Sequence, residues 1–184
     1  MRKVIFLTTI LIMGILILNP LYSEDNMSFT ITSPNFEHMG EIPAKYTCEG
    51  ENISPELSWG NLPKGTISLA LISDDPDAPD PNAPRMTWVH WVIYNIPSNA
   101  TGLKEGILSS DLPNGAIQGI NDSRNIGYGG PCPPIGRHRY FFKLYALDTV
   151  LDNLVQPIKK SQLEEAMKGH IIEETQLIGT YKKN

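Results

Sequence analysis

Thr87-Trp88-Val89-His90-Trp91-Val92-Ile93-Tyr94-Asn95 is apolar at nearly every position, and so is Tyr140-Phe141-Phe142-Lys143-Leu144-Tyr145-Ala146-Leu147 further along. Both runs are short and rich in aromatic and β-branched residues, which favours strand over helix. Neither alternates cleanly between apolar and polar, so each reads as a central strand covered on both faces. Phe29–Thr32 and Ile67–Ser73 are further strand candidates. Between them fall turn signals such as Ser33-Pro34-Asn35, Leu62-Pro63-Lys64-Gly65 and Leu112-Pro113-Asn114-Gly115, in a chain with 15 Gly and 15 Pro. Such spacing predicts short strands joined by loops, mostly β, in two packed sheets around one core. One helix is expected from Ser161, where Ser161-Gln162-Leu163-Glu164 fits a capping box. Leu163, Ala166 and Met167 would then form its apolar stripe, Gly169 its stop, and Ile171–Tyr181 a last strand.

Each central run is entered through a proline-stiffened polar turn. Asp74-Asp75-Pro76-Asp77-Ala78-Pro79 precedes the first, and Gly130-Pro131-Cys132-Pro133-Pro134-Ile135-Gly136-Arg137-His138-Arg139 leads into the second. Proline fixes φ and removes a donor, so these turns are rigid. Strict alternation puts Trp88, His90, Val92 and Tyr94 on one face, and His138 and Tyr140 on one face with Phe142. With the strands adjacent, His90 and His138 meet in a cavity that Asp75 closes from the side. Imidazole donors, the Tyr140 hydroxyl and backbone amides of the Gly127–Gly130 loop suit a small phosphate or carboxylate. Asp75 would orient a histidine or accept from an ammonium group. A zwitterionic headgroup such as phosphoethanolamine satisfies both signs.

These two segments, in this order, resemble the signature regions of the phosphatidylethanolamine-binding protein family, also called the Raf kinase inhibitor protein family. The likeness is to its bacterial and archaeal branch. It extends from about Phe29 to Tyr181 and includes Tyr46-Thr47-Cys48-Glu49-Gly50, Ile53-Ser54-Pro55 and Ala166-Met167-Lys168-Gly169-His170. The resemblance implies a two-sheet β-sandwich with short peripheral helices. It places the ligand pocket at Asp75, Pro79, His90, Pro134, His138 and Tyr140. Asp77 and Arg139 match motif positions that brace the turns, and Trp88 is a supporting core residue. The loop before His138 is shorter than in the animal members. Family members are described as binding phospholipid headgroups and as inhibiting kinases or proteases. The expectation is therefore a non-catalytic binding module for a phosphate- or carboxylate-bearing ligand, with a protease as a candidate partner protein.

The N-terminus sets the compartment. Arg2 and Lys3 precede an apolar run from Val4 to Leu18, with a small residue at Ser23, which is a signal-peptide pattern. Residues 1–23 read as a signal peptide and 24–184 as the domain. The alternative is an uncleaved anchor, against which the run is shorter than the roughly 20 residues a span needs. An exported chain, periplasmic or secreted, favours one Cys48–Cys132 disulfide over two free buried thiols. Arg2 and Lys3 are the only charges in the leader, so its loss takes the net charge from −5 to −7. Such an acidic domain lacks the positive field for nucleic acid or an anionic membrane surface. No cofactor is expected. Two other readings compete: a hydrolase using an Asp–His pair, although no Gly-x-Ser-x-Gly, HExxH or P-loop is present, and a metal site of two histidines and one carboxylate.

Overall fold

The computed structural model describes residues 28–184. The expected leader, residues 1–23, and the first residues of the expected domain lie outside the described residues. The described chain runs β1 (Thr30–Thr32), β2 (Leu57–Gly60), β3 (Ser68–Asp75), β4 (Trp88–Pro97), β5 (Gly102–Leu103), β6 (Ile117–Gln118), β7 (Arg137–Leu147), α1 (Lys160–Met167) and β8 (Ile171–Lys182). Single 3-10 turns occupy Ala44–Tyr46 and Ser109–Asp111. The strands form two antiparallel sheets, ordered β1-β2-β5 and β6-β4-β3-β7-β8.

The two apolar runs are β4 and β7, which flank β3 in the larger sheet. All eight positions of β3 are buried because both its faces are covered. Leu69 and Leu71 pack with Trp91, Ile93, Tyr140, Phe142 and Leu144 against Ile31, Leu57 and Trp59 of the smaller sheet. On the other face, Ala70 and Ile72 join Val92, Tyr94, Tyr145 and Leu147 beneath Ile158, Leu163 and Met167. The molecule is therefore a two-sheet sandwich with one short helix laid on its outer face, as expected for this fold class. Each Leu, Ile or Phe so buried contributes about 1.5–3 kcal/mol relative to exposure.

The helix cap falls two residues earlier than its sequence pattern suggests. Lys159, not Ser161, is the N-cap, and its backbone N–H donates to Gln162 Oε1 at 2.9 Å. The first turn is drawn inward because the Lys160 ammonium lies 2.6 Å from the carboxylate of Asp74, which is fully buried on β3. Lys143 of β7 completes that ion cluster at 2.9 Å. Among the described residues no helix is long and apolar enough to cross a membrane.

One irregularity governs the site. Ser73 pairs with Trp91, but Asp74 pairs with Val89 and Asp75 with Trp88, so His90 is an extra residue in β4. A bulge of this kind re-aims the side chains beyond it. Strict alternation would have left Trp88 and His90 on the helix side with Val92 and Tyr94. Instead Trp88 lies opposite Asp75, and the His90 ring meets Tyr140 edge-on at 5.2 Å between centroids.

Candidate functional site

Asp75 ends β3 and organises the turn after it. Its Oδ1 accepts the Asp77 N–H at 2.8 Å, an Asx-type turn. Its Oδ2 accepts from His138 Nδ1 at 2.7 Å, and His138 is fully buried. The other ring nitrogen, Nε2, lies 3.0 Å from the carbonyl oxygen of Ile135. Neither nitrogen of His138 is free to reach a ligand or a metal ion. Its role is to tie the end of β3 to the proline loop before β7.

Asp77 continues the turn and is gripped by Arg139. The backbone N–H and Nε of Arg139 donate to Oδ2 at 3.0 and 2.9 Å, and Nη2 donates to Oδ1 at 2.7 Å. The guanidinium hydrogen bonds hold the Asp77 carboxyl below its usual range, against an opposing effect of burial. This fork is the bracing the motif positions implied. It presents Pro79 on the far side of the turn.

His90 is different. Its Nδ1 lies 2.6 Å from the carbonyl oxygen of Gly129. A carbonyl only accepts, so Nδ1 carries the proton and Nε2 presents a lone pair. Nε2 is enclosed and has no partner among the described residues. Tyr140 stands behind, against both imidazoles, with its hydroxyl also enclosed and unpaired. Burial pushes the Tyr140 hydroxyl pKa upward.

Of the amides expected to serve a ligand from the Gly127–Gly130 loop, those of Gly129 and Gly130 are engaged elsewhere. Gly129 N–H donates to the His90 carbonyl at 2.9 Å, and Gly130 N–H to Asn52 Oδ1 at 2.8 Å. A Cβ on Gly130 would sit 2.3 Å from the Tyr46 carbonyl oxygen, so this glycine serves close packing of two loops. The same loop is bonded covalently through Cys48 and Cys132, whose Cα atoms are 5.4 Å apart.

These elements enclose a cleft of about 310 Å³. Ala78, Pro79, Met86, Trp88, Pro133 and Pro134 make its walls, and Asp75, His90, His138 and Ser123 supply its polar groups. The structure thus brings Asp75, Pro79, His90, Pro134 and His138 together. Tyr140 lies one layer deeper, off the lining, because β7 directs it into the sandwich core. Trp88, expected as plain core, lines the cleft, and the bulge is the reason. Ser123 and Met86 escaped the sequence reading. Ser123 sits in the polar turn Asn121–Asn125, where Asn121-Asp122-Ser123 matches only the common glycosylation sequon, and only tertiary pairing with Val89 brings it to the cleft.

Burial holds the His90 imidazole below its ordinary pKa, and the Gly129 carbonyl only partly offsets this. The unfolded chain takes up a proton below about pH 6.5 that the folded protein resists. Stability from this group is full above that pH and falls as the pH drops through it towards the lowered folded value. The slope reaches at most about 1.4 kcal/mol per pH unit. His90→Asn keeps a donor towards Gly129 and should flatten the decline between about pH 6.5 and 5. Urea midpoints that fall equally in both proteins would contradict this assignment. The Asp77 effect has the same sign but is full above about pH 3.9 and is lost only further into acid.

A preformed concave cleft, mostly apolar with a few convergent polar groups, is the form of a small-ligand site. Fold and cleft together define a two-sheet β protein with a preformed cleft between its proline-rich turns. The chain belongs to the phosphatidylethanolamine-binding protein family, whose sequence profile matches residues 32–182. It is similar to the UPF0098 protein of Methanothermobacter thermautotrophicus, with 55% identity over 149 residues, or 80% of this chain and 95% of that one. Among solved structures it resembles CT736 of Chlamydia trachomatis, a homolog in this family, at 43% identity and TM-score 0.77, covering 85% and 99% of the two chains. Escherichia coli YbcL, described as a member of the mammalian PEBP family, matches at 32% identity and TM-score 0.76 with the same coverage.

Proposed function

We propose that this protein is an exported, non-catalytic binding module whose cleft takes a small ligand with a phosphate-type acidic headgroup. The observation that carries the reading is the enclosed, unpartnered Nε2 of His90 on a cleft otherwise walled by proline, Met86 and Trp88. A buried polar atom without a partner is destabilising unless something completes it. The apolar walls would accommodate the rest of an amphiphilic ligand. The Asp75–His138 pair offers no base to a nucleophile, since both nitrogens of His138 are occupied. The leader pattern and the Cys48–Cys132 bridge support an oxidising compartment. Cell fractionation finding the chain in the cytosol would count against export.

The direct experiment is calorimetric titration of the domain with phosphoethanolamine and with inorganic phosphate, wild type beside His90→Ala. Saturable binding that weakens by about tenfold or more in a folded variant supports the cleft as the site, a loss of roughly 1.4 kcal/mol. Absence of binding at millimolar ligand, or equal affinity in the variant, removes the reading.

A further inference from the structure

The side chains of the cleft lining form an unusual inventory. His138 is saturated by Asp75 and Ile135, and the proton of His90 is committed to Gly129. The Arg139 guanidinium is held by Asp77. Two side-chain donors on the lining, the exposed Ser123 hydroxyl and the half-buried Trp88 indole N–H, are not tied up by hydrogen bonds within the described residues. The same lining carries two acceptors, the unpartnered His90 Nε2 lone pair and the Asp75 carboxylate, whose two oxygens already accept from Asp77 and His138. A ligand made solely of acceptor oxygens would leave His90 unpaired and would meet the Asp75 charge. A ligand bringing its own O–H would complete the set.

Ser123 is firmly placed for this role. The Asp122 N–H donates to the Val89 carbonyl at 3.0 Å, and Asp122 Oδ2 accepts the Val89 N–H at 2.8 Å. The turn is closed by Asn125 N–H donating to Asn121 Oδ1 at 3.0 Å. Arg124 adopts φ 65°, in the left-handed region, so the residue after Ser123 is turned sharply by the loop's own bonding. The loop is therefore clamped to β4 one residue from His90.

We propose that Ser123, Trp88 and His90 make the cleft selective for a protonated oxyanion: the Ser123 hydroxyl and Trp88 N–H donate to its acidic oxygens, and His90 Nε2 accepts its O–H. This rests on the reading of the cleft as a ligand site. Inorganic phosphate and sulfate provide the comparison, since at about pH 7.5 phosphate keeps an O–H and sulfate has none. A site built around a hydrogen bond rejects the analogue lacking that group.

Calorimetry of the wild-type protein should show phosphate bound about tenfold or more tighter than sulfate. Ser123→Ala should weaken phosphate by a factor of about 5–10 and sulfate alike, leaving their ratio in place. His90→Gln substitutes an amide that can donate where Nε2 only accepts, and should bring the ratio towards one. Equal wild-type affinities for the two anions overturn the selectivity while leaving the cleft a ligand site, and that result needs no variant. Neither anion binding overturns both the selectivity and the reading of the cleft. A folded His90→Gln that keeps the full wild-type ratio removes His90 as its source.

Discussion

Asp75→Ala is expected to lower the unfolding free energy by about 3–5 kcal/mol, the usual result of removing one member of a buried pair. Asp75 is 3% exposed and His138 is 0% exposed, so water cannot replace the lost partner. The substitution also strips the Asp77 N–H of its acceptor and loosens the turn that carries Pro79. Urea unfolding with an unchanged m-value would measure the effect. A change under about 1 kcal/mol would show that the pair is not a structural tie. A double-mutant cycle with His138→Leu sharpens the test, because the second substitution should add less than its separate effect once the partner is gone.

Opening the Cys48–Cys132 bridge should destabilise the domain by about 4 kcal/mol, given the long chain segment it closes. The two cysteines are 84 residues apart in sequence, so their link removes much freedom from the unfolded chain. Both lie in exposed segments, and the folded state keeps other ties there, including the Cys48 N–H bond to the Pro131 carbonyl at 3.0 Å. The expected result is thus a folded but weaker reduced protein, with a lower urea midpoint for Cys48→Ala/Cys132→Ala than for wild type. Equal midpoints would mean that the bridge contributes nothing to stability. Cys132 also lines the cleft, so the same variant should bind the titrated headgroup less tightly.

Much of the fold was legible because its signal is local. β3, β4, β7 and β8 announce themselves by composition, and all four lie where expected to within a few residues. β2, β5 and β6 were missed. The last two have only two residues each, and their pairing with β2 and β4 rather than their composition makes them strands. The helix was found but its cap was misplaced, since an ion pair to Asp74 acts across the fold and leaves no trace in the local pattern.

The site divides in the same way. The residues Asp75, His90 and His138 were identifiable from the two motif segments and the resemblance they carry. What each does was not. A period-2 reading treats both histidines as donors in one cavity, yet His138 is consumed by Asp75 and Ile135, while His90 keeps a lone pair. The bulge at His90 decides which face it and Trp88 take, and a bulge is a mismatch between two strands that neither strand's own residues express.

By itself, the chain's sequence determined the two-sheet architecture and the residue types available for chemistry, because apolar patterning and turn-forming residues act over short spans, and its two motif segments carried the resemblance to the family. Tertiary structure alone decided the hydrogen-bond state of each polar group, the arrival of Ser123 at the cleft and the withdrawal of Tyr140 from it. Those outcomes depend on which strand lies beside which, and in what register. Hydrogen bonds are satisfied between neighbours in space, so their assignment exists only once the sheets have closed.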